Sequence, residues 1–363
     1  MIETVALQIP VIGLSLSEFV VLLIAAFAGG VFGAALGALP AFIFTGFMVV
    51  AGESANILAA ELGDVADIPA DQIGVGITGS IGFGPIFGPH VAFAGGAAAT
   101  AYAAKRGYID SGFDYHEGKN ILYALGTKPD VLLVGGAFGV FGMLFRQVSG
   151  GLGLPWDPIA MGVTVSALAH RLVFGYPIIG TPRGEGLFDM TPFARGDTRS
   201  TPAEEMATDG GIPENRLAVE PWLPHQYKWS GVTLLGIAVG AVGAYVGLVT
   251  GSFFLGFGIS AASLVFLNCG VDQIPVTHHI TLPASTAALI FGSGPGALGA
   301  LLVGTVFGLY GALAGEVHQR IFYAHSDTHW DPPAASIALT TFTIAVLSLA
   351  ELFPSSGWVP VPV

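Results

Sequence analysis

LLVGGAFGVFGMLFRQV (132–148) and LLVGTVFGLYGALAGEV (301–317) carry Leu, Leu, Val, Gly, Phe, Gly, Gly and Val in the same places, a constant 169 residues apart. Downstream of each copy stands the same tripeptide, Trp156-Asp157-Pro158 and Trp330-Asp331-Pro332. Only five tryptophans exist in the chain, so two of them opening one tripeptide argues against coincidence. A repeat has to be sought before any other reading, because missing it mistakes the whole architecture. Two further zones match. GGVFGAALGALPAFIFTG (29–46) lies over VGAVGAYVGLVTGSFFLG (239–256), with Gly30, Gly33, Gly37 and Gly46 on Gly240, Gly243, Gly247 and Gly256. GPHVAFAGGAAAT (88–100) lies over THHITLPASTAAL (277–289), with His90 on His279. The zones keep their order, which predicts two tandem homologous repeats, at 16–174 and 231–352, joined by a polar linker at 175–230.

The chain of 363 residues is 53% hydrophobic and 10% charged, with a mean hydropathy of +0.72. Soluble domains carry about 25% charged residues. Apolar stretches lie near 16–50, 75–105, 130–143, 159–174, 231–267, 280–292, 297–314 and 335–352. A bilayer-crossing helix needs roughly 20 mainly apolar residues. The expected fold is therefore an all-α, multi-pass integral protein of the cell membrane, and not a β-barrel, whose strands are shorter and alternate. Many of the 53 glycines recur every three or four residues, as close helix packing in lipid requires. The same glycine faces suit a homo-oligomer.

Asp and Glu number 25 against 12 Lys and Arg, a net charge of −13. Such an acidic, archaeal-like composition fits a salt-in halophile, where molar salt shortens the reach of carboxylate repulsion. It argues against a nucleic-acid partner, which needs clustered cations. Lipid is expected as surrounding solvent only, since no basic cluster is present to hold headgroups. Cys269 is single, so no intrachain disulfide is expected. The stretch 1–19 lacks a basic start, so no cleavable signal peptide is expected.

Lys105, Arg106, Lys119 and Lys128 place the connector between them in the cytoplasm. The acidic stretch 53–72, read as a loop, then faces outward. The linker, with Arg183, Arg195, Arg199, Arg216 and Lys228, faces inward. An odd number of crossings per repeat inverts the second copy, an even number keeps it parallel, and 16–50 and 231–267 decide between them. The inverted arrangement is favoured, by analogy with alternating-access proteins.

Asp is a preferred N-cap and Pro is tolerated at the first helical position, so each Trp-Asp-Pro is expected to start a helix. Trp156 and Trp330 then suit the membrane interface. Ion binding by Asp157 and Asp331 is the alternative role. Arg146, His170, Arg171, Glu316, His318 and Arg320 are read as helix-end groups reaching for the polar boundary.

The segments too short to span carry the site expectation. Residues 279–292 reach about 21 Å as a helix, short of a hydrocarbon core of about 30 Å. Polar residues precede them at 272–279, and the matched stretch 82–90, GFGPIFGPH, is equally broken. Irregular backbone survives at membrane depth only where protein buries it or water lines it. Paired interruptions in two halves point to a transport site, and a broken helix offers free N–H groups to an anion. The expected discontinuous or re-entrant helices thus place Gly88, Pro89 and His90 opposite Thr277, His278, His279, Thr281, Ser285 and Thr286, around a small anionic or polar solute. Helix capping is the competing role for these histidines.

A transporter or channel for that small-molecule or ion substrate is the first functional expectation. A structural membrane protein packing through its glycine faces is a second. An intramembrane metal enzyme using His278 and His279, with Cys269 as a further ligand, is a third. His318, His325 and His329 form another metal-like spacing. No H-E-x-x-H or G-x-S-x-G occurs, and the G-x-G-x-x-G at 294–299 follows a membrane segment and is read as helix packing. No catalytic residue, cofactor or metal is assigned.

Overall fold

A computed structural model of the chain describes residues 8–66, 76–294 and 296–362. Among these residues the regular elements are all helical, with two isolated β-bridges, Gln8 to Ser15 and Thr198 to Leu217.

The first apolar stretch is two helices. α1 (Leu16–Leu36) starts at a Ser15–Glu18 capping box and ends where Gly37 takes φ +94°. α2 (Ala38–Ala66) follows at once. The second stretch divides in the same way, into α8 (Trp229–Thr250) and α9 (Leu255–Asn268), at Gly251 with φ +68°. A side chain at that φ would meet its own backbone, so glycine sets where the chain can turn. Much of the expected acidic loop at 53–72 is instead the end of α2; its residues 67–72 lie outside the described residues. Between these pairs run α3 (Ala92–Lys105), α4 (Pro129–Gly151), α5 (Pro158–Phe174), α6 (Thr191–Arg195) and α7 (Ala203–Thr208). After them come α10 (His278–Phe291), α11 (Leu298–His318) and α12 (Pro332–Leu349).

Six of these helices, α1, α2, α4, α8, α11 and α12, are long and apolar enough to cross a membrane. Their outward faces stay apolar: Val21, Leu234 and Val306 are each more than 60% exposed. A soluble surface rarely presents so continuous an apolar belt. A multi-pass membrane protein is the architecture that accounts for both facts.

Glycine lets the helices touch backbone to backbone. A Cβ on Gly30 would lie 2.2 Å from the Gly135 carbonyl oxygen, and one on Gly142 only 1.7 Å from that of His90. In the other bundle a Cβ on Gly311 would lie 2.2 Å from the His279 oxygen, and one on Gly308 2.3 Å from Gly240 Cα. Only hydrogen fits at these places. Gly142→Ala is therefore expected to push α4 off residue 90 at a cost of about 1–3 kcal/mol or more. A lowered melting temperature in detergent checks this; an unchanged one would mean the helices are not in contact there.

One end of the molecule is a polar cap. The connector 106–128, the linker 175–228 and the segment 319–329 pack together there. Lys119 pairs with Glu220 at 2.6 Å, Arg216 with Asp327 at 2.7 Å, and the Glu117 N–H donates to the Gly211 carbonyl at 2.8 Å. The His329 N–H donates to Gly118 O at 2.9 Å. Two sequence expectations are corrected at this end. Arg171 does not reach for water: it is buried and donates to the carbonyls of Ile178, Phe322 and Thr328. Trp330 is not at an interface: it is 2% exposed and stacks on Phe322 at 4.4 Å. In both cases the linker and the 319–329 segment cover what a bare helix end would expose. Glu316 and Arg320 likewise form a buried pair.

Candidate functional site

Both Trp-Asp-Pro motifs do begin helices. Asp157 accepts from the Ile159 N–H at 2.8 Å and Asp331 from the Ala334 N–H at 3.2 Å, each with Pro in the first turn. Both Asp residues also line a hollow. This first cavity, of about 440 Å³, lies between α2, α5, α9 and α12; Phe42, Glu53, Arg146, Asp157, His278 and Asp331 are among its lining residues. At its rim Asn56 and Gly79 are exposed. A second cavity, of about 250 Å³, lies against the polar cap. Tyr115, Lys119, Trp222, His278, His329 and Asp331 help to line it, with Asp114, Leu122 and Pro224 exposed at its rim.

Phe42, His278 and Asp331 belong to both cavities. The Phe42 ring is 6% exposed and sits 4.8 Å from the His278 ring, 5.9 Å from Phe93 and 6.0 Å from Phe257. It is the apolar partition between two partly polar hollows. A third, much smaller void lies between His170, His329 and Asp331, so Asp331 lines all three.

The polar groups differ in how far they are satisfied. Glu53 is fully engaged, accepting from Thr78 at 2.7 Å, Ser252 at 2.5 Å and Asn56 at 3.2 Å. Ser252 in turn accepts from the Leu255 N–H, so Glu53 ties α2 to the start of α9. Arg146 donates to Gln147 at 2.6 Å and forms no ion pair among the described residues. His278, His329 and His170 are nearly fully buried, and each has an Nδ1 with no protein partner. Ionisable groups inside a membrane protein are expensive to keep, and by default mark a pathway.

In the polar cap, burial pushes the Lys119 amine down to about 8, against the opposing pull of Glu220. Burial alone would raise Asp209. The His116 ring 3.2 Å away, the Gly211 N–H and Lys105 together outweigh it and hold the carboxyl at about 2.

The expected site residues are distributed. Pro89 and His278 line the first cavity. His90 and His279 line none of the three: His90 packs under Gly142 and Gly162, and His279 under Gly311 and Gly315. Gly88 forms the turn into α3, its carbonyl accepting from Val91 and Ala92. Thr277 shares a 2.5 Å hydrogen bond with Ser260. Thr281 donates to His278 O, Ser285 to Phe253 O and Thr286 to Leu282 O, so these hydroxyls are spent on nearby carbonyls. Glu53, Phe42 and Arg146 were not foreseen as lining a cavity. The usable signal was the pair of Asp residues written into both tripeptides. Among the described residues no group of three His, Cys, Asp or Glu is gathered to hold a metal, and Cys269 is exposed while His278 and His279 are buried.

A family of unknown function, DUF7973, matches residues 11–362, and the chain belongs to it. No curated protein and no solved structure matches the chain.

Proposed function

We propose that this member of DUF7973 is a transport protein of the cell membrane. It is built from two inverted repeats and passes a small solute between the first and second cavities past Phe42, His278 and Asp331. The observation that carries the reading is the pair of hollows meeting at one thin aromatic and ionisable partition, with exposed rims formed by different segments. His278 and His329, buried with Nδ1 unpartnered, line these hollows, which supports a working passage over a purely structural role. Arg146, which lines the first cavity near Asp157 but forms no contact ion pair among the described residues, is the group that would receive an anionic or polar solute.

The duplication is supported by recurring contacts. Gly142 meets residue 90 and Gly311 meets residue 279; Gly33 meets Ala92 and Gly243 meets Thr281; Gly135 meets Ala34 and Gly304 meets Ala244. Each second contact falls where the sequence match places it. The inversion is supported by direction relative to the polar cap. The chain leaves α1 next to Ile121 of the cap, while α8 starts there. α4 starts at the connector, while α11 ends in the cap segment; α5 ends at the cap, while α12 starts there. α3 and α10, of 14 residues each, are the re-entrant pair, at about 21 Å too short to cross. Nine of the twelve Lys and Arg lie in the cap segments, Lys105 and Arg171 bond to them, and only Arg146 stands apart, which favours a cytoplasmic cap.

Labelling tests the passage without knowledge of the substrate. With Cys269→Ser as background, Ile159→Cys in the first cavity and Leu223→Cys in the second are exposed to a membrane-impermeant maleimide in sealed vesicles. Ile159→Cys is expected to react from outside only and Leu223→Cys from the cap side only. Reaction of both from one side sinks the proposal.

A further inference from the structure

We infer that Asp331 is a proton-carrying carboxylate, taking a proton from water in the first cavity and giving it up to water in the second. The inference rests on the passage reading and adds the coupling ion to it. Its basis is position. Asp331 is the residue common to all three hollows, and it lies where the two large ones meet. His278 faces both large cavities; His329 faces the second and the small void; His170 faces the small void alone. Each of these rings is buried and keeps an Nδ1 free of any protein partner. A buried polar atom without a partner is uncommon and calls for a reason, and a neutral imidazole nitrogen can accept a hydrogen bond from water or donate one to it.

The carboxylate has one structural bond, from the Ala334 N–H to Oδ1 at 3.2 Å, which leaves acceptor capacity for a proton. The step is a proton transfer alone: one O–H bond forms from a water-borne proton on one side and breaks to water on the other, with no electrons exchanged. The titratable and charged groups facing the same hollows are Glu53 from α2, Arg146 from α4, Asp157 before α5, Asp114, Tyr115 and Lys119 from the connector, and His278 from α10. Tyr323 and His329 from the cap segment, and His170 from α5, complete them. Of the other carboxylates, Glu53 accepts three side-chain hydrogen bonds and Asp157 lines only the first cavity.

The substitution Asp331→Asn is a clean test, because Asn caps a helix as well as Asp does and should keep the start of α12 in place. The purified full chain is reconstituted into liposomes holding a pH-sensitive dye, and a potassium diffusion potential with valinomycin drives protons inward. Wild-type uptake above that of protein-free liposomes is expected, with D331N at the protein-free level and E205Q, which removes an exposed linker carboxylate away from all three hollows, still active. A D331N protein that takes up protons like the wild type overturns the inference, and so does a wild type no faster than empty liposomes. A second measurement needs no variant. Dicyclohexylcarbodiimide, which reacts with protonated carboxyls in apolar surroundings, is expected to block uptake and to leave its adduct on Asp331 in the mass spectrum. Block with Asp331 unmodified overturns the assignment. If protons do not move yet the two cysteines still label from opposite sides, the coupling ion falls and the passage stands; loss of the sided labelling removes the passage itself.

Discussion

Alanine in place of Glu220 is expected to destabilise the protein by about 3–5 kcal/mol, the cost of stripping one partner from a buried ion pair. Glu220 is fully buried and sits at the centre of the polar cap. It accepts from Lys119 Nζ at 2.6 Å, from Arg216 at 2.7 and 3.0 Å, and from the His116 N–H at 3.2 Å, with Arg199 at 3.7 Å. Removing its carboxylate leaves Lys119 and Arg216 facing each other without water to screen them. The linker should then lift from the connector, and the second cavity, which Lys119 lines, should open toward the cap side. A drop in melting temperature together with new protease cleavage in the linker checks this. An unchanged melting temperature with no new cleavage would show that the cap is held by something other than its charges.

The second large effect concerns the partition. Phe42→Ala is expected to join the two cavities into one continuous hollow, because the ring lies against His278, Phe93 and Phe257 and lines both sides. Liposomes carrying the variant should swell in a gradient of small polar solutes faster than those carrying the wild type. Phe42→Leu, which keeps most of the apolar bulk, should stay tight. Equal swelling rates for the alanine variant and the wild type would place the barrier elsewhere. The cavity lining is already incomplete around Phe42, so its loss should cost less than the roughly 3–5 kcal/mol of a Phe→Ala change in a closed core.

Much of the architecture is legible in residue order alone. Apolar stretches of the right length mark the membrane helices, and the Asp-Pro pairs mark helix starts, because both signals are local. The glycine ladders mark where helices meet, since only hydrogen fits between backbones in such contact. The division of 16–50 and 231–267 was not legible: Gly37 and Gly251 look like every other glycine in the ladder until their positive φ is seen. The burial of Trp330 and Arg171 was equally hidden, because what covers them comes from distant parts of the sequence.

The amino-acid sequence by itself determined a helical chain for a membrane and the paired helix starts at Asp157 and Asp331, because length, hydropathy and capping act over a few neighbours. Only the tertiary structure decided that Phe42, His278 and Asp331 meet between two hollows, and that His90 and His279 instead pack beneath glycines. Which residues share a void depends on how helices far apart in the chain cross, and no local pattern encodes that crossing.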